Sequence, residues 1–179
     1  MNNKSWNKYK GERLQEVFDF CDGYINYISE CKTERECVLT SIEMAEALGY
    51  RDFNEVLDNN ETLKVGDKVY VNNKDKGLIL FLIGEESIER GMRIIGSHVD
   101  SPRLDLKQNP LYEDSNLAMM ETHYYGGIKK YQWVNTPLSM HGVVVKKDGT
   151  KIDVVIGEDD KDPVIGVSDL LIHLSQDQL

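Results

Sequence analysis

The sequence predicts a mixed fold of the α/β or α+β class. Three observations lead there. Early residues carry apolar side chains at three- and four-residue steps. From Lys68 the period shortens to alternation and then to continuous apolar runs. After Pro102 the texture turns β-rich and aromatic. The chain's 179 residues suffice for one domain or one and a half, with a core of useful size. The shift in texture near residues 103–108 predicts a boundary that separates 1–105 from 106–179.

Residues 5–31 read as a helix. Val17, Phe18, Cys21, Tyr24, Ile25 and Ile28 make one apolar stripe, which Gly11 and Gly23 weaken. Thr33-Glu34-Arg35-Glu36 fits a capping box that opens a second helix, with Val38, Ile42, Ala45 and Leu48 as its buried side and Gly49 as its stop. A short helix is expected around Phe53 to Leu57. Lys68-Val69-Tyr70-Val71 alternates, residues 72–77 form a turn, and Leu78 to Ile83 reads as a strand covered on both faces. Met92 to Pro102 reads as a buried strand that ends at the proline.

Beyond it Leu104-Asp105-Leu106-Lys107 alternates, and Gln108 to Asn116 looks like a loop. Glu121 to Trp133 is aromatic around Gly126-Gly127. Met140–Val145 and Ile152–Ile156 predict a hairpin, followed by an acidic loop from Gly157 to Pro163. Ser168 or Asp169 is placed to cap a last helix holding Leu170, Leu171, Ile172 and Leu174. An apolar helix with nothing after it to cover it points to a fragment.

The hydrophobic fraction is 40% and the charged fraction 29%, as in a soluble globular chain. A formal net charge of −10 argues against a nucleic-acid-binding module. No apolar run is long enough to span a bilayer, and the N-terminus has no signal-like apolar core. Cys21, Cys31 and Cys37 are odd in number and form no Cys-x-x-Cys pair, which fits a reducing cytoplasm better than a disulfide scaffold or a zinc cluster.

The chemistry centres on Gly96-Ser97-His98-Val99-Asp100-Ser101-Pro102. Positions two apart on a strand face the same way, so His98 and Asp100 project together, as a metal-binding imidazole backed by a carboxylate requires. The same spacing also suits a histidine merely satisfied by a polar neighbour. A serine hydrolase built on Ser97 or Ser101 is disfavoured, because neighbours in one strand cannot converge on one substrate atom and no Gly-x-Ser-x-Gly elbow is present. His123 and His141 read as surface or hairpin histidines, and His173 as a packed or rim histidine. Tyr124-Tyr125-Gly126-Gly127 lacks the Gly-Lys-Ser/Thr of a phosphate loop and suits tight packing or an interface.

Gly96 to Pro102 with Leu104-Asp105-Leu106-Lys107 resembles the first metal-site motif of the aspartyl aminopeptidase / aminopeptidase I family of zinc metallopeptidases. The likeness continues through Glu121-Thr122-His123-Tyr124-Tyr125-Gly126-Gly127, Tyr131-Gln132-Trp133, Pro137 to Val144, and Ser168 to Leu174; upstream, Lys64 to Gly84 matches the strand pair before the motif. The resemblance implies a zinc-peptidase catalytic domain over 1–105, with a β-rich dimerisation domain, inserted after the His-x-Asp strand, represented by 106–179. It implies His98 as the first zinc ligand and Asp100 as the acid that orients it. By motif position His173 matches a histidine lent to a neighbouring subunit's active site. The implied activity is removal of N-terminal residues from peptides at a two-zinc site, in a homo-oligomer.

Two departures stand out. Asn135-Thr136-Pro137-Leu138 replaces the Asp-Arg-Asp-Leu of many relatives, which leaves a preference for acidic N-terminal residues open. Family members are also more than twice as long, and their remaining metal ligands and general base lie in the later half. The residues at hand are thus expected to be inactive alone. The competing expectation is a non-catalytic assembly module derived from the same family.

Overall fold

A computed structural model describes residues 5–169 and 172–174. The fold is mixed α/β, in two compact units, Met1–Asp100 and Ser101–Leu179.

The first unit starts with a short 3-10 turn, Ser5–Lys8, and two helices, α1 (Glu12–Glu30) and α2 (Glu34–Ala47). The capping box at Thr33 forms as expected: the Glu36 N–H donates to the Thr33 hydroxyl at 3.4 Å, and the Thr33 N–H donates to the Glu36 carboxylate at 2.8 Å. Two free amides of the first turn are thereby satisfied. Strand β1 (Arg51–Asp52) leads into helix α3 (Phe53–Asp58), where the Asp52 carboxylate accepts from the Asn54 N–H at 2.8 Å. Strands β2 (Lys68–Asn72) and β3 (Leu78–Leu82) pair antiparallel, and β1 joins β2 in parallel, in the order β1-β2-β3. The turn between β2 and β3 puts Lys74 and Asp75 at φ of 58° and 57°, held by a 2.9 Å bond from the Asp75 N–H to the Asn72 side chain.

The core of this unit is small. Val38 and Ala45 of α2, Val56 of α3, Val69 and Tyr70 of β2, and Cys31 are buried. Three expectations fail at this level. The α1 stripe forms, but α1 contains no buried residue, and Phe18, Tyr24, Ile25 and Ile28 are exposed. Leu48 is exposed rather than part of the α2 core. β3 is not covered on both faces, since Ile79, Leu80, Phe81 and Leu82 all remain exposed.

The largest correction concerns residues 91–102, which form no strand. Ile94 is 79% exposed and Ile95 is 99% exposed. An apolar run becomes a strand only where a neighbour takes its backbone donors and acceptors. No strand among the described residues pairs with this segment.

The second unit is built from antiparallel two-stranded sheets. β4 (Arg103–Asp114) pairs with β5 (Leu117–Tyr125), through a tight turn in which Ser115 and Asn116 take φ of 52° and 63°. The expected loop over Gln108 to Asn116 is therefore mostly strand. Its proline falls where the register shifts between Leu106 and Leu111, so the missing donor of Pro110 sits in an irregular stretch of the ladder. The 3-10 turn Lys130–Gln132 precedes β6 (Pro137–Leu138). The expected hairpin is present as β7 (Met140–Val145) and β8 (Lys151–Ile156), and β9 (Ile165–Gly166) pairs back onto β6. Gly157, at φ 100°, closes the end of β8; a Cβ there would lie 2.9 Å from the Leu138 carbonyl oxygen. Of the expected last helix, Ile172–Leu174 is seen as a 3-10 turn, and Leu170 and Leu171 lie outside the described residues. No described residue of the second unit is buried.

Candidate metal centre

The structure brings His98 and Asp100 together, by a route other than the pleat of a strand. His98 Nδ1 lies 2.8 Å from the backbone carbonyl oxygen of Asp100 and 3.3 Å from its Oδ1. A carbonyl oxygen can only accept, so Nδ1 carries the proton. In the neutral ring this leaves the lone pair on Nε2, the tautomer in which a histidine binds a metal through Nε2 while a neighbour holds its other nitrogen. The contact is local: it spans one intervening residue, Val99, in an irregular segment. The imidazole side chain is 84% exposed, and that of Asp100 is half-buried.

One imidazole backed by an acid fits zinc as a single ligand, and no more. Zinc sites need three or four donors. Among the described residues, no group of three or more His, Cys, Asp or Glu side chains could hold an ion.

The other histidines divide. His173 belongs to the second unit, exposed on the turn Ile172–Leu174. His141, with its side chain only 9% exposed, has Nε2 3.0 Å from Glu158 Oε1, which links β7 to the acidic loop after β8. His123 Nδ1 is 3.3 Å from the carbonyl oxygen of Tyr124. Both are satisfied by protein partners.

Sequence reading passed over two clusters. Arg103 stacks 4.0 Å over the Tyr125 ring while its Nε donates to Asp105 at 2.7 Å, a cation–π contact and an ion pair at the open end of the long hairpin. Cross-strand alignment of Arg103 with Tyr125 is the signal that was missed. The Tyr70 hydroxyl donates to Glu46 at 2.8 Å from inside the first unit's core. Burial, and then the Glu46 carboxylate, push its phenol up to about 12.

Comparison with known proteins places the chain in a family. A relative from Clostridium acetobutylicum, described as a probable M18 family aminopeptidase 1, is 63% identical over 175 residues. The alignment takes in 98% of this chain and 38% of that protein, so the chain spans well under half the length of the relative it matches. The crystal structure of aminopeptidase I from the same organism superposes with a TM-score of 0.82 over 97% of this chain and 38% of that one. The crystal structure of aminopeptidase I from Borrelia burgdorferi B31, 40% identical, reaches 0.85 over 93% of this chain and 40% of that one. Residues 27–178 also match the family model for the aminopeptidase I zinc metalloprotease (M18). With most of its length aligned to that model, and a relative of such high identity beside it, this chain belongs to the M18 family of zinc metalloproteases.

Proposed function

We propose that this chain is the N-terminal part of a zinc metalloaminopeptidase that removes N-terminal residues from peptides. In this reading 1–105 begins the catalytic domain and 106–179 belongs to an inserted dimerisation domain. His98 is the first zinc ligand, through Nε2. Asp100 keeps the ring in the right tautomer and orientation. His173 serves a neighbouring subunit's site as a donor near the scissile carbonyl. Zinc, two ions in the complete site, supplies a Lewis acid and a water of lowered pKa. The reading is supported above all by the 3.3 Å approach of His98 Nδ1 to Asp100 Oδ1, beside its 2.8 Å contact to the Asp100 carbonyl oxygen.

These 179 residues alone are expected to bind zinc weakly and to leave aminoacyl reporters uncleaved, since one ligand cannot assemble a two-metal site. Chelator-sensitive cleavage by the isolated residues would contradict this. In the complete protein, His98→Ala is expected to release bound zinc and abolish turnover. Asp100→Asn is expected to weaken metal affinity by about 10–100-fold. Metal content by mass spectrometry, measured beside kcat/KM, checks both. A His98→Ala enzyme with full zinc and unchanged turnover overturns the assignment.

The second reading, a non-catalytic assembly module, is favoured by the bare apolar surface of β3 and of Ile94–Ile95. Both readings take a homo-oligomer in the cytoplasm, with neither nucleic acid nor a membrane as partner. The net charge of −10 supports the exclusion of nucleic acid, and no described helix is long and apolar enough to cross a bilayer. Light scattering on the isolated residues, with and without the full-length relative, tests the assembly.

A further inference from the structure

Cys31, Lys32 and Thr33 alone join α1 to α2. Cys31 caps α1, and its N–H donates to the Tyr27 carbonyl oxygen at 3.0 Å. Tyr27 and Cys31 are one turn apart and share a face. The Tyr27 hydroxyl donates to the Cys37 carbonyl oxygen at 3.1 Å and lies 3.0 Å from Ser41 Oγ. Cys37 and Ser41 are likewise one turn apart on α2. The Tyr27 hydroxyl therefore ties the end of α1 to the start of α2, with Cys31 one turn beyond Tyr27 and the Cys37 main chain as its partner. Cys31 is 8% exposed and Cys37 is half-buried. Burial raises the Cys37 thiol above its ordinary range, Tyr27 opposes that, and a direct interaction with the Cys31 thiol adds to it.

We propose that Cys31 and Cys37 are a modification site: a dithiol pair that closes reversibly to a disulfide and clasps α1 to α2. The inference does not depend on the peptidase reading. A metal is the usual alternative for paired thiols, but no described set of three donors includes them. Cys21 is exposed and lies ten residues before Cys31 on α1, about 15 Å along the axis, too far to compete.

The chemistry balances with a low-molecular-weight disulfide such as glutathione disulfide as oxidant. The Cys37 thiolate, having given its proton to solvent, attacks one sulfur of the oxidant. A mixed disulfide forms, and one glutathione leaves as a thiolate. The Cys31 thiolate then attacks the Cys37 sulfur and expels the second glutathione. The two leaving thiolates take up two protons. Two electrons pass from the cysteine pair to glutathione.

Peptide mapping of the folded protein after exposure to glutathione disulfide tests this. Trypsin cuts after Lys32 and Arg35, so a bridge appears as residues 14–32 linked to residues 36–51. The linked species is expected in the native protein and in Cys21→Ser, and is expected to vanish on treatment with dithiothreitol. Cys31→Ser and Cys37→Ser should each abolish it. Recovery of Cys31 and Cys37 as separate glutathione adducts, or as free thiols once Cys21 has fully reacted, overturns the proposal. So does a bridge that is lost in Cys21→Ser.

Discussion

Tyr70 shows how much one side chain can hold in a small core. Its ring is buried and its hydroxyl donates to Glu46 at 2.8 Å. The phenolate is the charged form, so burial and the nearby carboxylate disfavour it, and the folded pKa rises to about 12 from an ordinary 10. A group raised in the folded state stabilises most while it is protonated. Its contribution is therefore complete below about pH 10 and is lost as pH climbs through about 12. The unfolding midpoint in urea should fall across that window, and should fall less in Tyr70→Phe. At neutral pH the same variant loses a hydrogen bond to a charged acceptor, a cost of about 1.5–3 kcal/mol. Equal alkaline slopes in the two proteins would show that Tyr70 is not the titrating group.

Local features of the helices and tight turns were legible because neighbours in sequence decide them. The Thr33–Glu36 box is an example, with both of its reciprocal bonds present. Thr33→Ala should cost about 1 kcal/mol and lower the melting midpoint by about 2–4 °C in a thermal scan. At the end of β8, Gly157→Ala forces a left-handed φ and a 2.9 Å approach to the Leu138 carbonyl, so it should destabilise the second unit more than Gly142→Ala, which meets open space. Elements that need distant partners were misread. Residues 91–102 are extended-looking by composition, yet strand formation requires a neighbour that periodicity cannot see. The stretch 108–114 was misread in the opposite sense: Gln108-Asn109-Pro110 has turn chemistry, but the irregular register absorbs the proline and the hairpin runs on to Ser115. The candidate metal site follows the same rule. His98 and Asp100 are two residues apart, so their contact is a local property. Among the described residues no further donors gather around them.

At the scale of the whole molecule, the two units differ in how they are held. The first has a nucleus of Val38, Val56 and Val69, all essentially inaccessible to solvent. The second consists of paired strands with no described residue buried. Amide hydrogen exchange should therefore be slowest in α2, α3 and β2, and much faster along β4 and β5 in spite of their long ladder. Uniform protection across both units in the isolated residues would contradict this.

β3 is an outer strand of its sheet among the described residues, and its Leu78-Ile79-Leu80-Phe81-Leu82 run contains no charge and no proline. A bare rim of that composition is a template on which another copy can stack, in the manner of cross-β fibres. Left uncapped, these residues should drift toward thioflavin-positive deposits at high concentration, and Leu80→Lys should act as a gatekeeper that delays them.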